Sequence, residues 1–321
     1  MVSASSAFRV LVTGGDGFVG QHLVQALSQH LPAEHEIVIG AHGDSPPQAD
    51  QHRRIPLDVT NPDDVRSCLL AVRPTHLFHL AAVAAIGEAR GDVRKTWAVN
   101  FGGTLNIALA ARETVPDCRI LHISSAHVYG YPPSDEPITE AALLDPIDAY
   151  GASKAAADIM MGQMAKQALR AIRLRPFNHT GPGQRDQFAA PAFAAQIARI
   201  ERGEQEPIIR VGTLTSRRDF LDVRDVADAY VRTALRFDEL PAGIAMNVAS
   251  GRAISIADIL KILLALSKVN IEVREDPERV RRDDTPSIIG NAARARQLLG
   301  WGPQRSIEET LADLLESYRV R

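Results

Sequence analysis

The sequence predicts an α/β fold: a doubly wound parallel sheet with a smaller, discontinuous substrate-binding lobe. Three observations predict it. Short apolar strands alternate with amphipathic helices through the first half of the chain. A glycine-rich turn joins the first strand to the first helix. At 321 residues the chain is too long for one small domain and suits a large α/β unit with a second lobe folded onto it.

Phe8-Arg9-Val10-Leu11-Val12 reads as the first strand, and a helix runs from the turn Thr13 to Gly20 through about His30. A second strand spans Glu36 to Ile39, and a third reaches Asp58 through Ile55-Pro56-Leu57. A helix over Pro62 to Ala71 leads into a fourth strand, Thr75 to Leu80; one long helix is expected from about Arg94 to Arg112. Arg119 to Ile123 is the fifth strand, a helix covers about Ala149 to Ala168, and Ala171 to Arg175 is a further central strand. Right-handed crossovers put the carboxyl ends of these strands on one rim, where ligands bind.

The texture changes at Pro176 to Arg185, rich in glycine and proline around Asn178 and His179. Beyond it, Ala192 to Arg202 and Val223 to Phe237 read as helices, Ile208 to Val211 as a short strand, and Ile256 to Ser267 as the start of a terminal helical region. Ala245 to Val248 is expected to return to the main sheet. The expected division is residues 1–180 for the dinucleotide-binding unit and 181–321 for the second lobe, with parts around 220–250 returning to the first.

A net charge of -3 with interspersed signs provides no broad basic face, which argues against a nucleic-acid partner. Cys68 and Cys118 fit neither a metal-ligand spacing nor a disulfide framework, so a reduced, cytoplasmic setting is expected and no metal is. Met1 to Ala7 lack the pattern of a signal peptide, and no apolar run approaches the roughly 20 residues of a membrane span.

Gly14, Gly17 and Gly20 form a GxxGxxG turn between strand and helix. The first glycine permits the tight turn, the second lets a pyrophosphate approach, and the third lets helix and sheet pack closely. The amides of Phe18 and Val19 then open a helix whose dipole favours phosphate. Asp58, ending the third strand, is placed to accept from an adenine amino group, or is simply a solvated loop aspartate. No acid follows the second strand, where Gly40-Ala41-His42-Gly43 stands in place of the usual ribose-binding carboxylate. NADPH and NADH both stay open, because His42 is not a dependable cation and Arg53 and Arg54 need placing in space.

Tyr150 and Lys154 are four apart on one helix, so phenol and ammonium share a face. Such a cation favours a more acidic phenol. Ser125, just after the fifth strand, has a hydroxyl suited to polarising a carbonyl while Tyr150 supplies a proton. Each has a plainer reading: Ser125 caps local backbone, Tyr150 packs between lobes, Lys154 is solvated. Arg175, at the end of a strand before Pro176, points to the crevice or ties the strand end to an acid.

With these residues in view, the chain resembles the extended short-chain dehydrogenase/reductase family over nearly its full length. The resemblance rests on Thr13 to Gly20, Asp58-Val59, His79-Leu80-Ala81-Ala82, Asn100, Ser125, Tyr150, Lys154 and Arg175-Pro176-Phe177-Asn178. It implies a Rossmann-like domain in which Gly14, Gly17, Phe18, Val19, Asp58, Val59, Leu80, Ala81, Ala82, Tyr150 and Lys154 bind the cofactor, with Ser125, Tyr150 and Lys154 catalytic and Asn100 architectural. Arg175 to Gln184 together with Arg218 to Ala227 is more closely similar to the branch of GDP-mannose dehydratases and GDP-4-dehydro-6-deoxy-D-mannose reductases. That implies a GDP-linked 4-keto-6-deoxyhexose, met by Ser125, His127, Asn178, Arg218 and Arg281, and pairing into a homodimer or larger assembly. Arg218 alternatively joins a salt-bridge network with Asp219, Asp222 and Asp225, and Arg281 alternatively belongs to a charged surface loop.

At His127 the resemblance breaks. The related dehydratases carry a glutamate two residues after the catalytic serine or threonine, and losing that carboxylate disfavours dehydration. The expectation is therefore NAD(P)H-dependent reduction of the C4 ketone to GDP-D-rhamnose, with the talose-configured product, a 4-epimerase or a 4,6-dehydratase as alternatives.

Overall fold

The structure is a computed structural model that describes residues 8–43, 52–131, 136–277 and 287–320. In chain order it forms β1 (Phe8–Thr13), α1 (Phe18–His30), β2 (His35–Ala41), β3 (Arg53–Pro56), α2 (Pro62–Val72), β4 (His76–His79), α3 (Ile86–Gly91), α4 (Val93–Trp97), α5 (Thr104–Thr114), β5 (Arg119–Ile123), α6 (Ala149–Ala165) and β6 (Ala171–Pro176). There follow β7 (Asn178–Thr180), α7 (Ala189–Glu201), β8 (Ile208–Val211), β9 (Arg217–Asp222), α8 (Val223–Leu235), β10 (Ala245–Val248), β11 (Ala253–Ser255), α9 (Ile256–Ala265), β12 (Glu272–Glu275), α10 (Ala293–Leu299) and α11 (Ile307–Arg319).

Seven strands form one parallel sheet in the order β10-β6-β5-β4-β1-β2-β3. The chain winds outward from β1 in both directions, the doubly wound α/β topology that the alternating pattern predicts. The strand order reverses beside β1 and β4, and that crevice is where an open α/β sheet binds ligands. Polar capping fixes where the flanking helices begin. Asn61 accepts from the amides of Asp63 and Asp64 ahead of α2, with Pro62 at its first position, and Asp148 accepts from Gly151 N at 2.7 Å ahead of α6. Each such cap contributes about 1 kcal/mol.

The sheet is covered on both faces. Val10, Val12, Leu121, Ile172 and Leu174 pack with α1 and α8, whereas Leu11, Leu77 and Ile120 pack with α2, α5 and α6. A third core gathers α7, β8, α9 and α11 around Phe193, Ile197, Ile259, Leu263 and Leu311. Between the segments of that third core, the chain returns to the first through α8 and β10, and again through Ala295, Leu299 and the buried Trp301.

One expected element differs. The single helix over Arg94 to Arg112 is instead α4 and α5 joined by a wider π-type turn at Ala98–Gly103. The turn rotates Asn100 fully inward, where its side chain accepts from Val83 N at 2.8 Å and donates to Ser153 Oγ at 3.0 Å. Close packing adds to this, since a Cβ on Gly103 would lie 2.7 Å from Val59 Cγ2. Local periodicity carries no signal for hydrogen bonds made so far along the chain.

Candidate active site

The glycine turn lies at the rim of β1, tied to the end of β2 by a hydrogen bond from Gly14 N to Gly40 O. Gly14 has φ of 70°, and a Cβ there would stand 2.9 Å from Ala81 N. A Cβ on Gly20 would stand 2.4 Å from Gly14 O, so helix and turn touch only because the side chain is missing. Gly17 caps α1 without a side-chain hydrogen bond, and no acid occupies the first turn. The amides beginning at Phe18 and Val19 thus open a helix with no acid in its first turn, which fits a dinucleotide pyrophosphate, while the carboxylate of Asp16 in the turn is paired with Arg54. Leu80 and Ala81 hydrogen-bond to Thr13 and, with Ala82, line the turn's other side. Asp58 Oδ1 accepts from Thr60 N and Oγ1, which holds the carboxyl below its ordinary range, and Val59 is buried beside it.

β5 and α6 bring the serine, tyrosine and lysine together. Ser125 is buried just beyond β5, where its Oγ accepts from His127 N at 3.2 Å. Local capping is therefore present, and the serine also acts to lower the pKa of the Tyr150 phenol. Tyr150 occupies the first turn of α6, and burial pushes its phenol up, with Ser125 acting in the opposite sense. Lys154 is 3% exposed and donates to Ile123 O at 2.5 Å. Desolvation lowers it to about 8, while the carboxylate of Asp158, one turn further along α6, acts to raise it. In this state the acidifying influence on Tyr150 comes from Ser125, and Lys154 is turned to the end of β5.

His127 faces Tyr150 edge-on, with ring centroids 5.4 Å apart. Burial lowers its pKa, Asp148 acts to raise it and Arg218 to lower it, so the imidazole against the phenol is neutral. Asn178 is half-buried on β7, whose neighbour β9 carries Arg218. The three carboxylates near Arg218 have partners of their own. Asp219 accepts from Ser250, Gly251 and Gly290, Asp222 pairs with Arg224, and Asp225 pairs with Arg305. Arg281 lies outside the described residues.

Beneath the site lies a buried charged network that the sequence reading does not assemble. Asp158 is fully buried and accepts from Arg173 and, through both its oxygens, from Nε and Nη2 along one edge of the Arg175 guanidinium, at 2.7 to 2.9 Å. Arg175 continues to Tyr129 at 2.8 Å, and Tyr129 to Asn247 at 2.7 Å. Of the two readings of Arg175, the structure has the tie to an acid. A sequence signal does exist. Arg173 and Arg175 share one face of a central strand and require an anion, and Asp158 is the only acid in α6. At the other end of the site, Arg54 Nε stands 3.3 Å from Asp16 in the glycine turn, while Arg53 is exposed and pairs with Glu36.

Comparison with known proteins places this geometry. The model of the NAD dependent epimerase/dehydratase family matches residues 10–249. GDP-6-deoxy-D-mannose reductase of Pseudomonas aeruginosa is 34% identical over 315 residues, covering 98% of each chain. GDP-6-deoxy-D-talose 4-dehydrogenase of Aggregatibacter actinomycetemcomitans is 28% identical over 91% of each chain. Among solved structures, RMD from Pseudomonas aeruginosa complexed with NADPH superposes with a TM-score of 0.84 at 33% identity, covering 98% of this chain and 99% of that one. UDP-glucose 4-epimerase from Brucella ovis in complex with NAD superposes at 0.86 with 25% identity, again covering 98% and 99%.

Proposed function

Because the chain belongs to the NAD dependent epimerase/dehydratase family and is an NAD(P)-dependent oxidoreductase, we propose that it reduces the C4 ketone of GDP-4-dehydro-6-deoxy-D-mannose to GDP-D-rhamnose. The observation that carries the reading is the placing of Ser125, Tyr150 and Lys154 at the carboxyl end of β5 and on α6, on the same rim of the parallel sheet as the glycine turn, with a neutral histidine where dehydration calls for a carboxylate. GDP-6-deoxy-D-mannose reductase, the relative at 34% identity, supports the same substrate class.

Gly14, Gly17, Phe18, Val19, Asp58, Val59 and the wall Leu80-Ala81-Ala82 hold the dinucleotide, whose reduced nicotinamide supplies the hydride. Ser125 donates to the ketone oxygen and orients it. Tyr150, kept protonated by burial, gives its proton to the same oxygen as negative charge develops there, so no alkoxide is left unsupported. Lys154 holds the cofactor ribose, and its positive charge favours the phenolate that remains. His127 and Asn178 face the sugar, and Arg218 and Arg281 take the nucleotide phosphates. Such positioning turns a bimolecular encounter into an oriented one.

Two copies pair through α4, α5 and α6, where Val93, Trp97, Leu109 and Ile159 are 38% to 58% exposed. The free, buried thiols of Cys68 and Cys118 suit a reduced, cytoplasmic setting. Among the described residues no helix is long and apolar enough to cross a membrane.

The test is incubation with GDP-4-dehydro-6-deoxy-D-mannose and NADH or NADPH, following absorbance loss and determining the product configuration by NMR. Net oxidation with GDP-D-rhamnose as product is expected. The talose-configured product, the sugar named in the second relative, would keep the mechanism and reverse the face. Turnover without net oxidation would replace the reductase with an epimerase.

A further inference from the structure

Four side chains stand in line across the main sheet. Thr13 of β1 pairs in register with His79 of β4, His79 with His122 of β5, and His122 with Arg173 of β6. Residues in register on parallel strands present their side chains to the same face. That face is the one covered by α5 and α6. His79 shares hydrogen bonds with Thr13 Oγ1 at 2.8 Å and with Thr104 Oγ1 of α5 at 3.0 Å, while Arg173 donates to Asp158 of α6 and to Gly243 O.

His122 differs from its neighbours in the row. Its ring is fully buried, with its centroid 6.0 Å from that of His79, yet among the described residues neither nitrogen has a hydrogen-bond partner. A buried polar group left so is costly and calls for a reason. Burial first, and then the ammonium of Lys154, hold the imidazole well below its ordinary pKa, so the ring is neutral, with one N–H to give and one lone pair that accepts.

Both needs are matched on α6. Lys154 and Asp158 are four apart on this helix and buried, so they share the face turned to the sheet. The ammonium gives one N–H to the carbonyl of Ile123, the residue after His122, and has two more. The Asp158 carboxylate accepts on Oδ1 from Arg173 and Arg175 and on Oδ2 from Arg175 alone, which leaves a lone pair on Oδ2. Within the row His79 has both nitrogens engaged, and Arg173 carries donors only.

We propose that His122 is a positioning residue for Lys154: once the dinucleotide draws the ammonium off Ile123 O, the imidazole accepts one of its N–H groups and donates its own to Asp158, so that a buried carboxylate backs the lysine through the ring. The inference rests on the dinucleotide-binding and reductase reading above and deepens it. A neutral ring suits the task, because it passes the pull of the carboxylate to the ammonium without adding a further charge to the site.

The first test needs no sugar substrate. Proton–nitrogen correlation spectra are taken of the full-length protein labelled on its histidine nitrogens, with His122 identified by the signal missing from His122→Gln. Addition of NADH or NADPH should move the unprotonated His122 nitrogen upfield, the response to accepting a hydrogen bond, and should not do so in Lys154→Met. A signal that bound dinucleotide leaves unmoved, or moves equally in Lys154→Met, would overturn the proposal. If neither dinucleotide binds, the proposal falls together with the cofactor reading. In the reductase assay, His122→Leu should lower kcat about tenfold or more, keep KM for the keto-sugar within about twofold and unfold at no lower temperature, since it removes an unpaired polar group. His122→Gln, which restores a donor and an acceptor, should recover most of the rate. Full turnover in His122→Leu, or equal losses in both variants with lowered unfolding temperatures, would assign His122 to packing and sink the idea. A wild type that gives the spectral response but does not reduce the keto-sugar would reject the reductase reading and uphold the seat of Lys154.

Discussion

A lysine ammonium almost stripped of water is costly, and Lys154 is such a group at 3% exposure. Burial brings it from 10.5 to about 8 even with Asp158 opposing the shift. The sign of the linkage follows. Below about pH 8 the residue is charged in both the folded and unfolded chains, and the folded state bears the full desolvation cost. Between about 8 and 10.5 the unfolded chain holds more protons than the folded one, so stability rises with pH through that window. The shift corresponds to about 3 kcal/mol, against which stands about 1 kcal/mol for the hydrogen bond to Ile123 O. Lys154→Met should therefore stabilise the protein by about 2 kcal/mol at pH 7, with the gain lost as pH rises above about 8 and gone before about 10.5, while turnover falls by at least about a hundredfold. Urea unfolding across this pH range, beside initial rates, checks both. A destabilised variant at pH 7 would mean that the ammonium is held by more than the carbonyl of β5.

At the scale of elements, the join of β1 to α1 leaves no room for a side chain at its third glycine. Gly20→Ala puts a Cβ 2.4 Å from Gly14 O and 2.5 Å from Gly15 O, both backbone atoms that do not yield cheaply. The helix must move off the sheet, at an expected cost of about 1–3 kcal/mol. The displaced amides should weaken dinucleotide binding by tenfold or more; thermal unfolding and calorimetric titration of the variant measure the two effects, and unchanged binding would show that the cradle does not depend on this contact. Elements of this kind are legible in sequence because their cause is local: apolar runs mark β5, β8 and β10 to the residue, and the glycine spacing marks the cradle. β7, β9 and β11 are not, because Asn178-His179-Thr180 and Arg217-Arg218-Asp219 carry no apolar alternation and become strands only by pairing with one another. β12 is exposed throughout, and it is formed by pairing with β8. The site divides in the same way. Serine, tyrosine, lysine and glycines announce themselves by spacing, whereas Arg54 against Asp16, 38 residues apart, and the Asp158–Arg175–Tyr129–Asn247 chain exist only once the sheet has brought them together.

Across the whole molecule, the wider turn at Ala98–Gly103 has a consequence for assembly as well as for Asn100. Val93, Trp97, Phe101, Leu105 and Leu109 recur every four residues, and on an uninterrupted α-helix each such step would drift by about 40°, scattering them around the axis. A π-type turn takes up an extra residue and cancels much of that drift, so the five stay near one face. Trp97 and Phe101 do touch edge-on, with centroids 6.2 Å apart, and Val93, Trp97 and Leu109 are exposed. α6, packed alongside α4 and α5, adds an exposed Ile159. An apolar stripe of this length on paired helices suits a twofold interface, in which each patch meets its own copy. The wild type should therefore sediment as a dimer. Trp97→Asp, placed in the middle of the stripe, should give a monomer with an unchanged far-ultraviolet spectrum, since a carboxylate at the centre of an isologous patch is desolvated twice. Because the same helices carry Asn100, Ser153 and Lys154, the monomer should also turn over more slowly than it binds dinucleotide. A wild type that sediments as a monomer, or a Trp97→Asp variant that stays dimeric, would assign the stripe to some other contact.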